Sequence, residues 1–231
     1  MSQQWPRTFW IVRHGQSAGN VARDAAEANG LSAIDIAERD IDVPLSPLGR
    51  EQSVALGHWF GELPPARRPE VVITSPYVRA RETTRLVMQS SGLDRLTVLG
   101  IHERYPELAA QRGHVGKFYF RPPGGESWCD VILRLRSVLE MVTREHNGQR
   151  VLVVAHQVIV NCMRYLIECM EEHEVLALDR QGDVPNCGVT SYEHDPLSDS
   201  LVLDLANFVA PLREAGAPVT VEPDAPAAPK P

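Results

Sequence analysis

Short apolar runs alternate with longer amphipathic segments along most of this chain. The runs are rich in β-branched residues, as buried strands are, and they lie at 8–12, 71–74, 151–155, 188–193 and 201–205. Apolar residues recur at helical spacing between them, which predicts helices over 47–60, 77–89, 127–145 and 158–171. Strands that alternate with helices form a sheet covered on both faces. We therefore predict the α/β class, as a three-layer α/β/α sandwich with a mostly parallel central sheet.

The chain divides into one domain and a tail. Its 231 residues suffice for one sizeable α/β domain. From residue 211 onward there is no apolar periodicity, and this segment holds six of the 18 prolines together with several alanines. We predict a folded domain over residues 1–210 and a flexible Pro/Ala-rich tail over 211–231.

Charge and hydropathy argue against several functional classes. The chain has 23 Lys and Arg against 30 Asp and Glu, a net charge of −7, which makes it a poor general binder of nucleic acid or anionic membranes. No apolar run reaches the roughly 20 residues of a membrane-spanning helix, and no secretory signal is visible. The four cysteines form no Cys-x-x-C pair and lie at no zinc-ligand spacing. We expect a cytoplasmic protein with reduced cysteines and no nucleic-acid or membrane partner.

Candidate site residues follow three of the predicted strands. Ligands of open α/β sheets bind beyond the carboxyl ends of the strands. The residues at these ends are, in chain order, Arg13, His14, Gly15, Gln16 and Asn20, then Arg79, then His156 and Gln157. One histidine or arginine in such a place is usually structural. Two of each at the same sheet edge predict a shared binding site.

Two guanidinium and two imidazole groups around one crevice form a site for phosphate. Arginine presents a planar fork of donors that matches phosphate oxygens bidentately. The two arginines repel each other, so we expect an anion between them. Their charge replaces the magnesium ion of other phosphoryl-transfer enzymes, and we expect neither a metal nor another cofactor.

The motifs resemble those of the histidine phosphatase superfamily (phosphoglycerate mutase-like). The resemblance is carried by Arg13-His14-Gly15, by the segment 75–83 with Arg79-Ala80, and by His156 after Val-Val-Ala. Further agreement comes from Asp42-x-Pro44-Leu45-Ser46-x-Leu48-Gly49-x-x-Gln52 and from Gly125-Glu126-Ser127. The resemblance spans about Thr8 to Asn207, essentially the whole predicted domain.

The resemblance implies a catalytic role for four matching residues. His14 would be the nucleophile that forms a phosphohistidine, with its other ring nitrogen donating to a backbone carbonyl. Arg13, Arg79 and a protonated His156 would hold the phosphoryl oxygens and stabilise the charge of the transition state. Water would then discharge the intermediate.

Four neighbouring residues would complete the substrate site. Gly15 would let the backbone approach the ligand, and Gln16 and Asn20 would be secondary donors to phosphate or substrate. Gln157 stands where the family often has glycine. The bisphosphatase domain of the bifunctional fructose-bisphosphate regulator has the same His-Gln pair, which favours a phosphatase with an amide near its substrate.

The proton donor is the least determined part of the site. The family places an acidic residue well after its second arginine, and counting from Arg79 leads to Glu103 as the catalytic acid. An ordinary surface carboxylate fits that position equally well, and Glu82 and Glu107 are the fallback candidates. Nearby, residues 117–121 hold three aromatic and two basic side chains. They line the mouth of the pocket or pack onto the core.

We expect a metal-independent phosphatase that hydrolyses phosphate monoesters of small metabolites through a phosphohistidine, and thus a phosphoric monoester hydrolase with a small phosphorylated substrate as its partner. A short segment over the site favours transfer to water, because water exclusion protects a reactive phosphoryl intermediate. Two alternatives stay open. One is a phosphoglycerate mutase-type phosphoryl transferase. The other is a non-catalytic phosphate-binding scaffold that has lost its proton donor.

Overall fold

Six strands and seven helices make up the described part of a computed structural model, which comprises residues 5–31, 36–92, 98–100, 118–119 and 126–221. The strands are β1 (Thr8–Arg13), β2 (Val71–Thr74), β3 (Val98–Gly100), β4 (Arg150–Ala155), β5 (Val189–Asp195) and β6 (Ser200–Phe208). The helices are α1 (Ala18–Ala28), α2 (Pro47–Glu62), α3 (Val78–Ser91), α4 (Trp128–Glu145), α5 (Gln157–Ile167), α6 (Glu172–Gln181) and α7 (Ala210–Glu214). Of these helices, none is long and apolar enough to cross a bilayer.

The strands form one sheet in the order β3-β2-β4-β1-β5-β6. The first four are parallel to their neighbours, whereas β5 runs antiparallel to both β1 and β6. The turn between β5 and β6 is too short for the crossover that a parallel pair needs, so these strands form a hairpin. The predicted α/β class is therefore confirmed, with a mixed sheet.

The sheet is covered by helices on both faces, because alternate residues of each central strand point to opposite sides. In β1, Phe9 and Ile11 belong to one apolar cluster, which includes α4 and α5. Trp10 and Val12 belong to a second cluster, formed with α2, α3 and α7. Both clusters draw on β1, β2 and β4, so the parallel strands form the middle of three layers.

Local capping explains where several helices begin. Ser46 accepts a hydrogen bond from the Gly49 amide, and Pro47 takes the first helical position of α2, as the sequence predicts. Ser127 caps α4 in the same way, and the Asp130 carboxylate accepts from the Ser127 amide to complete a capping box. These caps fix the two helices that flank the sheet.

The predicted helix over 158–171 is wrong in its last four residues. Helix α5 ends at Ile167, and Cys169 adopts a left-handed backbone with φ of 52° before a separate helix, α6, begins. A left-handed residue at this point is usually glycine, so the sequence gives no sign of the break. Helix α1 and strand β3 were likewise not predicted. All four cysteines are free thiols.

The predicted boundary at residue 210 does not match the packing. Residues 210–214 form α7, and Leu212 is fully buried against the second apolar cluster. Further along, the Pro218 carbonyl and the Thr220 hydroxyl both accept hydrogen bonds from the Gln52 side chain. Residues 211–221 therefore belong to the domain. A buried apolar side chain and several polar contacts hold this segment in place, although its sequence has no apolar periodicity. Residues 222–231 lie outside the described part.

Candidate functional site

The ends of β1, β2 and β4 meet at one edge of the sheet. The register pairs Arg13 at the end of β1 with Ala155 at the end of β4. His14 and His156, the next residues along each strand, therefore lie side by side. Their rings are 5.1 Å apart between centroids and stand edge to face at 66°. In β2, Thr74 pairs with Val154, which brings Ser75 to the same edge. The sheet thus brings together residues that are far apart in sequence.

The His14 ring is buried and held by its own loop. Its Nδ1 lies 2.7 Å from the carbonyl oxygen of Gly15, and the residue is 4% exposed. Because that oxygen can only accept, Nδ1 carries the proton and Nε2 keeps its lone pair. The His14 amide also donates to Ala155, which ties the loop to β4.

Both imidazoles are neutral near pH 7. Burial lowers the pKa of His14 well below its usual value, and the charge of Arg79, the His156 ring and Arg13 lower it further. Burial likewise lowers the pKa of His156, with added contributions from Arg79, Arg13 and Arg134. The predicted protonated state of His156 therefore does not apply to the site without an anion, where protonation would add charge to a buried cationic cluster.

Ser75 and Tyr77 support His156. The Ser75 hydroxyl lies 2.7 Å from Nε2 of the ring. Tyr77 packs edge to face against the same imidazole, with 4.8 Å between the ring centroids. These two contacts help to hold the His156 ring beside His14.

Arg79 reaches the site from the first turn of α3. Its guanidinium carbon lies 4.7 Å from the Tyr77 ring centroid, a cation–π contact. Its Nη1 donates to the backbone oxygen of Asp40 at 2.6 Å and lies 3.1 Å from the Asp40 carboxylate. The Asp40 carboxylate thus offsets the positive charge of Arg79. The sequence did not point to Asp40 as a site residue.

Arg13 is fully buried at the end of β1, and its Nη1 donates to the Val184 carbonyl at 2.5 Å. The expected repulsion between the two arginines is relieved by this carbonyl, by Asp40 and by the neutral imidazoles. The anion that we expect between the two arginines stays a prediction.

Gly15 and Gln16 are packed into the protein. A Cβ on Gly15 would lie 2.4 Å from the Gly49 carbonyl oxygen, and the Gly15 amide donates to Thr83. The close approach that glycine permits is thus to α2. The Gln16 amide donates to Gln52, and its side-chain oxygen accepts from the Ser46 hydroxyl. Both residues hold the loop in place.

The side chains of Asn20 and Gln157 both form hydrogen bonds inside the protein. The Asn20 side-chain oxygen accepts from the Ser17 amide and hydroxyl in the capping box of α1. The Gln157 amide nitrogen donates to Asp183. Its side-chain oxygen is buried and has no hydrogen-bond partner among the described residues. This acceptor is one polar group of the set that a ligand could use.

The structure describes one of the three candidate acids. Glu103 and Glu107 lie outside the described residues. Glu82 accepts from the Leu45 amide and the Arg50 guanidinium, so its carboxylate links α3 to the start of α2. These two bonds tie both oxygens to structural partners and argue against the fallback role of Glu82 as the proton donor.

Of the aromatic segment 117–121, Phe118 and Tyr119 are described. Phe118 is 6% exposed and packs between Trp128 and Tyr165 on the first apolar cluster. Tyr119 is exposed, and its hydroxyl donates to Glu172. Phe118 supports the packing alternative; Lys117, Phe120 and Arg121 lie outside the described part.

A family model described as the histidine phosphatase superfamily (branch 1) matches residues 9–203. The chain belongs to this superfamily. The predicted family membership is thereby confirmed, together with the assignment to a phosphatase family.

Several relatives of this superfamily member are bifunctional or phosphatase enzymes by name. The 6-phosphofructo-2-kinase/fructose-2,6-bisphosphatase 3 of Rattus norvegicus is 30% identical over 159 residues, which are 68% of this chain and 27% of that protein. The fructose-2,6-bisphosphatase of Saccharomyces cerevisiae is 28% identical over 162 residues, 68% of this chain and 33% of that protein. The chain therefore spans about a quarter to a third of the length of these curated relatives.

Solved structures of other superfamily members share the fold. A mycobacterial glucosyl-3-phosphoglycerate phosphatase superposes with a TM-score of 0.63 at 24% identity, covering 87% of this chain and 98% of that chain. YhfR of Bacillus stearothermophilus gives a TM-score of 0.64 at 21% identity, covering 89% of this chain and 98% of that chain.

Proposed function

We propose that this superfamily member is a metal-independent phosphatase that hydrolyses phosphate monoesters of small metabolites through a phosphohistidine on His14. The contact between Nδ1 of His14 and the Gly15 carbonyl carries the proposal. It leaves Nε2 as an unprotonated nucleophile beside two guanidinium groups and a second imidazole.

In the first step, the Nε2 lone pair of His14 forms an N–P bond as the ester P–O bond breaks. Arg13, Arg79 and His156 hold the non-bridging oxygens, and the anion's own charge makes it favourable for His156 to take up a proton. The leaving oxygen receives a proton from a carboxylic acid, for which Glu103 is our proposed donor. Water then forms a P–O bond as the N–P bond breaks, and the carboxylate left by the donor takes up the proton that water loses. Phosphate is released, and neutral His14 and the carboxylic acid are regenerated.

The names of the relatives support a small phosphorylated substrate. One set is named for fructose 2,6-bisphosphate and another for glucosyl-3-phosphoglycerate, and both compounds are small phosphorylated carbohydrate derivatives. The buried acceptor of Gln157 suits a hydroxyl donor of such a substrate. We therefore propose sugar-like phosphate monoesters as the substrate class.

The experiment compares phosphate release by the native protein, His14→Ala and His173→Ala on p-nitrophenyl phosphate and a panel of phosphorylated metabolites. Removal of the nucleophile should lower kcat to below about one thousandth, whereas the exposed His173 should be replaceable at no cost. Excess chelator should have no effect, because the guanidinium groups supply the positive charge. Acid-labile, alkali-stable label from a 32P-phosphate ester should remain on the native protein and not on His14→Ala.

Other outcomes would contradict the proposal in distinct ways. Parental activity of His14→Ala would refute the nucleophile, and chelator inhibition reversed by a divalent metal would refute metal independence. An isomerised ester with little free phosphate would identify the mutase alternative. Phosphate binding by calorimetry without turnover of any ester would identify a binding scaffold.

A further inference from the structure

The loop that carries His14 is held as two flat peptide groups, each fixed at both ends. The peptide between His14 and Gly15 donates from its N–H to Thr83 and accepts on its C=O from the Asn186 side chain at 3.0 Å. The peptide between Gly15 and Gln16 accepts from Nδ1 of His14 and donates from its N–H to Gln52 at 2.9 Å. Because a peptide group is planar, turning the Gln16 N–H also turns the carbonyl that fixes the His14 tautomer.

Two buried amide side chains therefore control this loop. Gln52 and Asn186 are both fully buried. Each can act only in one orientation, since Gln52 must present its oxygen to an N–H and Asn186 must present its nitrogen to a carbonyl. A flipped amide would place donor against donor or acceptor against acceptor and would release the peptide.

The orientation of both amides is set by residues 217–221, which we term the C-terminal strap. The Gln52 nitrogen donates to the Pro218 carbonyl at 2.9 Å and to the Thr220 hydroxyl at 3.0 Å. That hydroxyl in turn donates to the Asn186 side-chain oxygen at 3.1 Å, and the Thr220 carbonyl accepts from the Asn186 amide. One hydroxyl thus accepts from one amide and donates to the other.

We propose that Thr220 is a positioning residue for the nucleophile, acting through Gln52 and Asn186 on the two peptide groups that orient the His14 ring. The inference rests on the proposed function for its effect on turnover, although the effect on the His14 tautomer is independent of it. A hydroxyl suits this position because it accepts from Gln52 and donates to Asn186, and a methyl group can do neither. The strap is therefore part of the catalytic loop's support.

Thr220→Val tests the inference, because valine keeps the shape and removes both hydrogen bonds. The kcat should fall about three- to tenfold, because only part of the effect of losing these two hydrogen bonds reaches the His14 loop. KM should change by less than about twofold, because Arg13 and Arg79 do not depend on the strap. Thr220→Ser should restore kcat to near the native value, since serine keeps the hydroxyl.

The His14 tautomer gives a readout that a merely structural role would not move. In 15N-labelled full-length protein, long-range 1H–15N correlation spectra report which ring nitrogen carries the proton. The native protein and Thr220→Ser should show the Nδ1–H form of His14, whereas Thr220→Val should show a mixture with Nε2–H. Thr220→Ala serves as a second variant should valine prevent folding.

The outcomes separate failure of this inference from failure of the proposed function. An unchanged tautomer in Thr220→Val would overturn the inference, even if its melting temperature fell. If the native enzyme is active, a kcat of Thr220→Val equal to the native value would also overturn the inference. A native protein that hydrolyses no ester would instead refute the proposed function, and the spectra would still decide the role of Thr220.

Discussion

Asp40 pairs with Arg79, the arginine that we propose holds a phosphoryl oxygen. Its carboxylate lies 3.1 Å from Nη1, yet the Asp40 side chain is 76% exposed while that of Arg79 is 12% exposed. An anion entering the site must compete with this carboxylate for the guanidinium. Because the pair is half in water, the competition is weak, on the order of 1 kcal/mol or less.

Asp40→Asn should therefore strengthen binding of the substrate. KM for a phosphate monoester should fall about two- to threefold, the factor that corresponds to a partly exposed ion pair. The backbone contact from Nη1 to the residue 40 carbonyl is kept, so Arg79 stays in place. Asp42→Asn is the matched control, because Asp42 lies two residues after Asp40 and pairs with Arg39 instead of Arg79. A raised KM in Asp40→Asn would show that the carboxylate positions Arg79 productively.

For single residues, the sequence predicts the charged and imidazole groups of the candidate site better than the residues that contact them. His14, Arg13, Arg79 and His156 follow strands, and the strand pattern sufficed to gather them at one edge. Tyr77 and Asp40 were missed because a stacking ring and an exposed carboxylate carry no motif. Gln16 was read as a ligand donor, whereas the structure shows its side-chain oxygen accepting from Ser46 and its backbone amide donating to Gln52. Contacts of this kind depend on the tertiary structure and leave no local pattern.

The first turn of α2 presses on the His14 loop. A Cβ on Gly49 would lie 1.9 Å from the Gln16 carbonyl oxygen, and a backbone atom cannot move aside as a side chain can. Gly19, in the first turn of α1, is less constrained: its Cβ would meet the Val43 side chain at 3.3 Å. The two helical glycines thus differ in what surrounds them.

Gly49→Ala should displace the loop and cost about 3 kcal/mol of the free energy of unfolding or more. Its kcat should fall together with its stability, because that Cβ would also lie 2.8 Å from the Gln16 nitrogen, which belongs to the peptide that holds Nδ1 of His14. Gly19→Ala should be close to neutral, since alanine favours the helix by up to about 1 kcal/mol and the valine methyl can adjust. Urea titrations of the three proteins measure the difference. Equal stability of the two variants would contradict a tight contact between α2 and the loop.

The elements that sequence analysis found are those with a strong period or a clear cap. Helix α2 begins with Ser46 and Pro47 and was predicted almost to its ends. The division between α5 and α6 depends on a cysteine in the left-handed region, a conformation that no residue type at this point announces. The strap was read as a tail because it has no period. Its contribution lies in single hydrogen bonds to Gln52 and Asn186, which periodicity does not detect.

The whole molecule couples folding, proton uptake and anion binding through the two buried histidines. Their pKa values lie well below the usual value because burial and nearby arginines oppose a charged ring. Below about pH 6.5 the unfolded chain protonates both residues while the folded protein does not. The free energy of unfolding should then fall as the pH is lowered, by up to about 1.4 kcal/mol per pH unit for each histidine.

An anion in the site should oppose this loss. Sulfate is a tetrahedral dianion throughout this pH range, so its own charge does not complicate the measurement. Its negative charge favours a protonated His156, and ligand that prefers the protonated folded state binds more tightly as the pH falls. The rise in melting temperature produced by a fixed low sulfate concentration, against chloride at equal ionic strength, should therefore be larger at pH 5.5 than at pH 7.5.

His156→Gln decides whether the coupling belongs to this residue. The variant should lose about half of the pH dependence below pH 6.5, because one of the two buried imidazoles is gone. The sulfate-induced rise should also become nearly independent of pH, although Arg13 and Arg79 still attract the anion. A rise that does not depend on pH in the native protein would mean that the anion binds without a proton. The arginines alone would then balance its charge, and the step in which His156 takes up a proton would have to be discarded.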